Sequence, residues 1–394
     1  MRVSFKCILS LLFFALVNIS WADSKVMPWF SKGENNQIKL RVDLFLSSTC
    51  PHCQKADAFF RSIEPGKPWL EVHRYLINKD KAALMNFHQD LEQQNIDDYA
   101  VPAIFFCNSR WIGFDEATST GVSLLRALNY CHQQVTKTGQ LTPQTTQLLK
   151  QWANASFFGA SMVSKPSVAI YIPLMALTDA FSPCAIFAVL ALFSFLWLSR
   201  RDARQLSLGI VFIIVLGFVH YLQQDHTIFF YQALLWLRIP AILIGLGLFA
   251  YIYTEYKNIE PKNFARPLLV ALTALAVEAY QQNCTPNFAL IFEQWVNSQA
   301  FSPALRGIYL VLYNLIYLLP LVLIMIGFIY LCKSWRLNEI ADGLTSSAWC
   351  ILLIIGILLI IYPVALSSFM LSGVVLILSL LLGFIMTRAK YSKI

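Results

Sequence analysis

Two textures of hydrophobic and polar positions divide the chain. Residues 23–166 mix short apolar stretches with polar positions and hold most of the acidic groups, whereas long apolar runs follow one another from Val168 onward. The runs lie at roughly 168–198, 206–222, 229–253, 267–295, 305–332, 346–362 and 367–387. Each is close to or above the roughly 20 apolar residues that carry a helix across a bilayer. Seven crossings place the two ends of this region on opposite sides of a membrane. A kink at Pro363 would merge the last two runs into one hairpin and give six.

The first 22 residues have their own pattern. Basic Arg2 and Lys6 precede an apolar run from Cys7 to Val17, and Ser20-Trp21-Ala22 supplies small residues where a signal peptidase cuts. The reading is a signal peptide over 1–22 and an exported domain after it; an uncleaved anchor helix gives the same topology. Cys7 receives no role. A soluble domain over 23–138, a linker over 139–166 and a membrane domain over 167–394 complete the division.

Within the soluble part, QIKLRVDLFLSS (37–48) reads as a buried strand and PHCQKADAFFRSI as the helix that follows it. LEVHRYLIN (70–78) is a second strand, KAALMNFHQDLEQQN (81–95) a helix, VPAIFFCNSRWIGF (101–114) a hairpin, and a last helix runs from about Ser119 to Gln134. Cys50 falls at the strand-to-helix turn with Pro51 at the first helical position, where a missing N–H is harmless. A sulfur placed over the unpaired N–H groups of a helix amino terminus is stabilised as thiolate. Cys50 is thus the expected attacking sulfur and Cys53 the resolving one.

Composition agrees with this division. Of 394 residues, 57% are apolar and 13% charged, with a mean hydropathy of +0.57, as in a polytopic membrane protein with a smaller soluble part. The net charge of +8 invites a nucleic-acid reading, but its placement argues against one. Arg200, Arg201 and Arg204, then Lys257, Lys262 and Arg266, then Lys333 and Arg336, then Arg388, Lys390 and Lys393 all fall on one side if the spans alternate. The opposite loops at 223–227, 296–303 and 363–368 have no Lys or Arg. That is the positive-inside pattern, with the soluble domain outside.

The order β-α-β-α-β-β-α, with Cys50-Pro51-His52-Cys53 opening the first helix and Val101-Pro102 ahead of a strand, resembles a thioredoxin or glutaredoxin domain over residues 37–135. The resemblance implies dithiol redox chemistry at Cys50 and Cys53, and a cis peptide at Val101-Pro102 that faces them and orients a substrate chain. A zinc site would need a second ligand pair at metal spacing, which the sequence lacks. Cys107 and Cys131 leave three readings: a structural bridge, as extra cysteines of exported domains often form, buried free thiols, or a second redox pair. His73, His88 and His132 have no motif partner.

In the membrane part, LTDAFSPCAIFAVLALF (177–193) and AVEAYQQNCTPNFALIF (276–292) share one layout of acid, alanine, aromatic, a break, cysteine and an apolar tail. Cys184 and Cys284 are 100 positions apart (284 − 184). One run points inward and the other outward, so the halves form an inverted repeat, a layout in which broken helices put a site near the midplane. Pro183 and Pro286 free backbone carbonyls that need protein or a wet cavity to satisfy them. Asp179 and Glu278 are costly in a membrane, roughly 2.5–3.5 kcal/mol for an acid at its centre on insertion scales, or else sit near the ends of the broken halves.

Residues 168–362, with Ser182-Pro183-Cys184 as the best match, are similar to the electron-carrying domain of the disulfide reductase DsbD and its shorter relative CcdA. The sequence departs from that family where no proline closely follows Cys184 and where Asn283 stands in place of a proline before Cys284. The resemblance implies that Cys184 and Cys284 accept electrons from cytoplasmic thioredoxin. Cys332 and Cys350 have no repeat counterpart and are read as structural.

Taken together, the expected fold is an α/β thioredoxin-like exported domain joined to an all-α membrane domain of 6–7 helices. The expected activity is transmembrane thiol-disulfide reduction in a bacterial inner membrane. Electrons would pass from thioredoxin through Cys184/Cys284 to Cys50/Cys53 and on to periplasmic protein disulfides, in cytochrome c maturation or disulfide isomerisation. Mixed disulfides carry every step, so no cofactor or metal is called for. Cys-Pro-His-Cys is also the active-site sequence of the oxidant DsbA, whose potential lies about 150 mV above that of thioredoxin, roughly 7 kcal/mol for two electrons. Flow outward would then be downhill, towards strained, mixed or catalytic disulfides. The alternatives are a quinone-linked thiol oxidase running the other way, for which no close-spaced membrane cysteine pair exists, and a soft-metal transporter.

Overall fold

A computed structural model describes residues 29–391, apart from 34–36, 95, 161–166, 200–201, 234–235, 258–264, 282, 285, 300 and 335–340. The expected signal peptide with Cys7, the end of the expected linker at 161–166, and Arg200, Arg201, Lys262, Arg336 and Lys393 lie outside the described residues.

Strand β2 (Ile38–Leu46) organises the amino-terminal part. Its residues from Val42 to Leu46 are all buried, as a central strand with layers on both faces requires. It is preceded by β1 (Phe30–Lys32), which the hydrophobic pattern did not announce, and followed by α1 (Pro51–Ile63), β3 (Leu70–Leu76), α2 (Lys81–Gln93), β4 (Ala103–Phe106), β5 (Ser109–Ile112) and α3 (Thr120–Thr138). One edge of β2 pairs in parallel with β3, from Leu40↔Leu70 to Leu46↔Leu76. Its other edge pairs antiparallel with β1 near Leu40 and with β4 near Leu44, and β4 pairs with β5. The β4–β5 turn is Cys107-Asn108, both at positive φ, 50° and 57°, the conformation a two-residue hairpin favours.

The stretch expected to be a linker holds a helix. Gly139, at φ 71°, ends α3 in the left-handed region. Then α4 (Pro143–Ala160) starts with Thr142 Oγ1 accepting the Thr145 N–H at 3.3 Å, a side-chain cap before a first-turn proline. Leu148, Leu149, Trp152 and Ala155 are buried at i, i+1, i+4 and i+7, one helical face. That face packs against α3 and β5 on one side and the helical part on the other.

The helical part comprises α5 (Val168–Ala180), α6 (Ile186–Leu198), α7 (Asp202–Asp225), α8 (Thr227–Ala233), α9 (Arg238–Tyr256), α10 (Ala265–Gln281), α11 (Phe288–Ser298), α12 (Pro303–Ser334), α13 (Ala341–Ile361) and α14 (Phe369–Tyr391). Among the described residues, α7, α12, α13 and α14 are long and apolar enough to cross a membrane, and α8 with α9, bent by 70°, make a fifth if they count as one span. Met370, Val374, Ile377, Leu381 and Ile385 are exposed along one face of α14, a continuous apolar surface of the kind that lipid covers. The architecture is therefore a helical part able to span a membrane beside a small α/β part.

The first and fourth apolar runs are not continuous helices. A 3₁₀ turn at Pro183–Ala185 separates α5 from α6, and a gap separates α10 from α11. Pro363 starts a 3₁₀ turn, Pro363–Ser367, between two distinct helices rather than kinking one. Helices α13 and α14 then lie against each other so closely that a side chain on Gly383 would stand 2.7 Å from the Gly343 carbonyl oxygen, a small-residue contact familiar between membrane helices. At the loop ends, Arg306 faces Asp225 at 3.6 Å. Arg238, an arginine inside the third expected run, donates to the last carbonyls of α13, Ile360 and Ile361, at 2.7 and 2.6 Å, satisfying acceptors a helix end leaves open.

Candidate functional site

Cys50 is the N-cap of α1, and its Sγ accepts the Cys53 backbone N–H at 3.2 Å, with Pro51 at the first helical position. The half-buried Cys50 sulfur lies 3.9 Å from the Val101 carbonyl, and the Val101-Pro102 peptide is cis. Beneath it Cys53 is buried, and its Sγ accepts from the Ser47 N–H at 3.4 Å. Burial, together with the hydrogen bond and charge of Cys50, pushes the Cys53 thiol up to about 12, so Cys53 stays protonated and Cys50 is the sulfur a partner can reach. Both are free thiols. The exposed His52 donates from Nδ1 to the Phe114 carbonyl at 2.7 Å, which ties the start of α1 to the end of the β5 segment.

Cys107 and Cys131 are joined, 6.7 Å apart at Cα, so the hairpin turn is pinned to α3 and the open choice among three readings resolves to a bridge. His132 stacks on Trp69 with 4.2 Å between ring centroids, His73 faces Glu71 and His88 faces Glu92.

Cys184 and Cys284 are also joined, with Cα atoms 6.2 Å apart and 100 residues between them in sequence. Each lies in a break: Cys184 in the 3₁₀ turn, Cys284 where its N–H donates to the Gln281 carbonyl at 2.9 Å just past α10. Beyond the second break, Asn287 caps α11 by accepting the Leu290 N–H at 3.0 Å. The two sulfurs line a cavity with about 30 Å³ open to the centre of a water molecule, and Pro286, Asp179 and Glu278 line it too. That volume suffices for a water.

Asp179 and Glu278 sit near the carboxyl ends of α5 and α10, both buried. What joins them is a residue the hydrophobic pattern did not single out, His220 of α7. Its Nδ1 is 3.1 Å from Glu278 Oε1 and its Nε2 is 3.3 Å from Asp179 Oδ2. Tyr313 donates to Asp179 Oδ2 at 2.8 Å, and Tyr317 stacks on the imidazole with centroids 3.9 Å apart. A signal for His220 existed: an ionisable residue in an apolar run is expensive and marks function by default.

Helix α4 seats the α/β part on the second break. Gln147 Nε2 donates to Asn283 Oδ1, and Gln151 Nε2 donates to the Asn283 carbonyl at 3.3 Å, one residue before Cys284. Gln294 Nε2 donates to the Trp152 carbonyl at 3.0 Å. Arg126 reaches the buried Glu293 at 2.8 Å while its guanidinium lies 4.4 Å from the Trp152 ring centre, and such a paired, stacked arginine suits a half-buried seam. Cys350 is a half-buried free thiol on α13, and the side chain of Cys332 lies outside the described residues.

Compared with known proteins, the chain matches no protein-family model, no curated sequence and no solved structure. The class that fold and site define is therefore stated in physical terms: a helical protein able to span a membrane, with one bridged cysteine pair buried between broken helices and one free pair at a helix amino terminus.

Proposed function

We propose that the protein is a transmembrane thiol-disulfide reductase of the DsbD and CcdA kind with an exported thioredoxin-like domain at its amino end. The observation that carries the reading is the meeting of Cys184 and Cys284, which lie 100 residues apart in two matched helix breaks and bond across a Cα separation of 6.2 Å. Polar residues and a cavity at that bridge are not what a merely structural disulfide in an apolar bundle requires. The free pair at Cys50 and Cys53 supports the other terminal of the same path.

A cytoplasmic thioredoxin dithiol reduces the Cys184–Cys284 bond, the new membrane dithiol reduces an oxidised Cys50–Cys53 pair, and Cys50 then attacks a partner's disulfide with Cys53 resolving the mixed disulfide. Two electrons and two protons move at each stage. The α/β part lies outside a bacterial inner membrane and its partners are disulfide-bearing exported proteins, including those of cytochrome c maturation or disulfide isomerisation.

Thiol trapping in cells tests the direction. Cys50–Cys53 should be mostly reduced in the wild type and become oxidised both in Cys184→Ser and on thioredoxin depletion. A pair that is oxidised in the wild type and indifferent to thioredoxin overturns the reductase reading and favours a quinone-linked oxidase.

A further inference from the structure

Resting on the redox reading of Cys184 and Cys284, we propose that Asp179, His220 and Glu278 form a proton reservoir that protonates each membrane thiolate as it leaves the disulfide and is refilled from the incoming dithiol.

The contact geometry gives these three groups room to share protons. Each imidazole nitrogen faces a different carboxyl, at 3.1 and 3.3 Å; the Nδ1 contact with Glu278 is a hydrogen bond, whereas Nε2 stands beside Asp179 without one, and a proton at each contact is what would complete both. An imidazolium between two carboxylates satisfies both, and so does a neutral imidazole with one protonated acid. In either of these states the trio holds two protons and a net charge of −1, the loaded form this proposal assigns to it, and groups so close titrate as a unit. The groups facing His220 are Asp179 from α5, Glu278 from α10, and Tyr313 and Tyr317 from α12. No Lys or Arg lines the cavity among the described residues, so protons are the cations available to balance the trio.

The trio, Cys184 and Cys284 all line one cavity. Gln281 also lines it, and its Nε2 is buried without a hydrogen-bond partner. A donor of that kind beside water-sized space fits a water, the carrier the proposal requires between carboxyl and sulfur.

The chemistry needs such a source. A donor thiolate attacks one sulfur of the bridge, a donor–cysteine S–S bond forms, the Cys184–Cys284 bond breaks, and its electron pair leaves on the other cysteine as thiolate. An unpaired thiolate in a dry helical interior is costly, and one proton from the trio neutralises it. The donor's second thiolate then attacks its own sulfur in the mixed disulfide, closing the donor disulfide and expelling the second cysteine, which takes the second proton. The donor's two thiol protons refill the trio. In sum, donor dithiol plus membrane disulfide gives donor disulfide plus membrane dithiol.

The test follows reduction of the Cys184–Cys284 bridge in the full-length protein by dithiothreitol and by thioredoxin, from about pH 6 to 9, in H₂O and D₂O, quenched by alkylation. His220→Gln and Glu278→Gln, which keep side-chain size, should slow reduction roughly 10²-fold or more at neutral pH, the lower range for removing a general acid. They should also flatten the pH profile and abolish the wild-type solvent isotope effect. A wild type that cycles, with variants matching its rates and pH profile, overturns the proposal and leaves the redox reading standing. A wild-type bridge that neither donor reduces overturns the redox reading and this inference with it. Variants that form the Cys107–Cys131 bridge but never the membrane one assign the trio a structural role instead and also overturn it.

Discussion

The backbone N–H of Cys53 donates to the Cys50 sulfur across 3.2 Å in the first turn of α1. One sulfur is thereby held half-buried on a backbone donor and the other fully buried beneath it, and their reactivities separate.

Alkylation reads that separation. Iodoacetamide should modify Cys50 first. In Cys50→Ser, Cys53 keeps the burial that is the main cause of its rise towards about 12, so it should stay unmodified near neutral pH and gain reactivity only as pH climbs beyond the ordinary thiol value of 9.0. Mass spectrometry of the peptide holding both cysteines checks this.

Acid should loosen the α/β part through Asp57. Burial opposes its charge, but hydrogen bonds from Arg74 at 2.6 Å and Arg61 at 3.0 Å outweigh burial and hold the carboxyl below its ordinary 3.8. A carboxyl with a lowered folded value adds stability above its unfolded value, and that stability is lost as pH falls through the folded one. Protease resistance of the amino-terminal part should therefore decline from about pH 4 downward, and Asp57→Asn should be weaker at neutral pH with a shallower acid limb.

Opening the Cys107–Cys131 bridge frees a loop with a sequence separation of 24. Loop entropy puts the loss at about 3–4 kcal/mol. Cys131→Ser should raise protease sensitivity of β4, β5 and α3 while leaving the reduction of the Cys184–Cys284 bond by dithiothreitol unchanged. A Cys184–Cys284 bond whose reduction changes equally would couple the two bridges and overturn the purely structural role of Cys107–Cys131.

Helix α4 shields the membrane bridge through Asn283, which accepts from Gln147 and Gln151. Gln147→Ala should make the Cys184–Cys284 bond several-fold more reducible by a water-soluble phosphine added to the detergent-solubilised protein. Trp152→Ala, which empties a buried position of the same helix at about 3–5 kcal/mol, should do so more strongly.

Local patterning made much of this architecture legible. The Pro51–Ile63 helix appears with the bounds its pattern implies, because a cap, a first-turn proline and an apolar stripe all act within one turn of chain. The breaks near Cys184 and Cys284 were readable for the same reason, prolines and polar residues interrupting apolar runs. Less legible was α4, whose Gln- and Thr-rich sequence resembles a linker until Trp152 and Leu148 find a surface on either side. β1 was too short to carry a period.

The sequence by itself determined the two-part division, the membrane-spanning composition, the cysteine spacing and the strand-to-helix turn at Cys50, since these depend on burial demand and backbone preference along neighbouring residues. Only the tertiary structure decided that Cys107 meets Cys131, that α4 sits on Asn283, and that His220 stands between Asp179 and Glu278. Those contacts join residues from 24 to 136 positions apart, and no local energy term selects a partner at that range. Packing of helices whose apolar faces must all be covered brings three ionisable groups from three helices to one point.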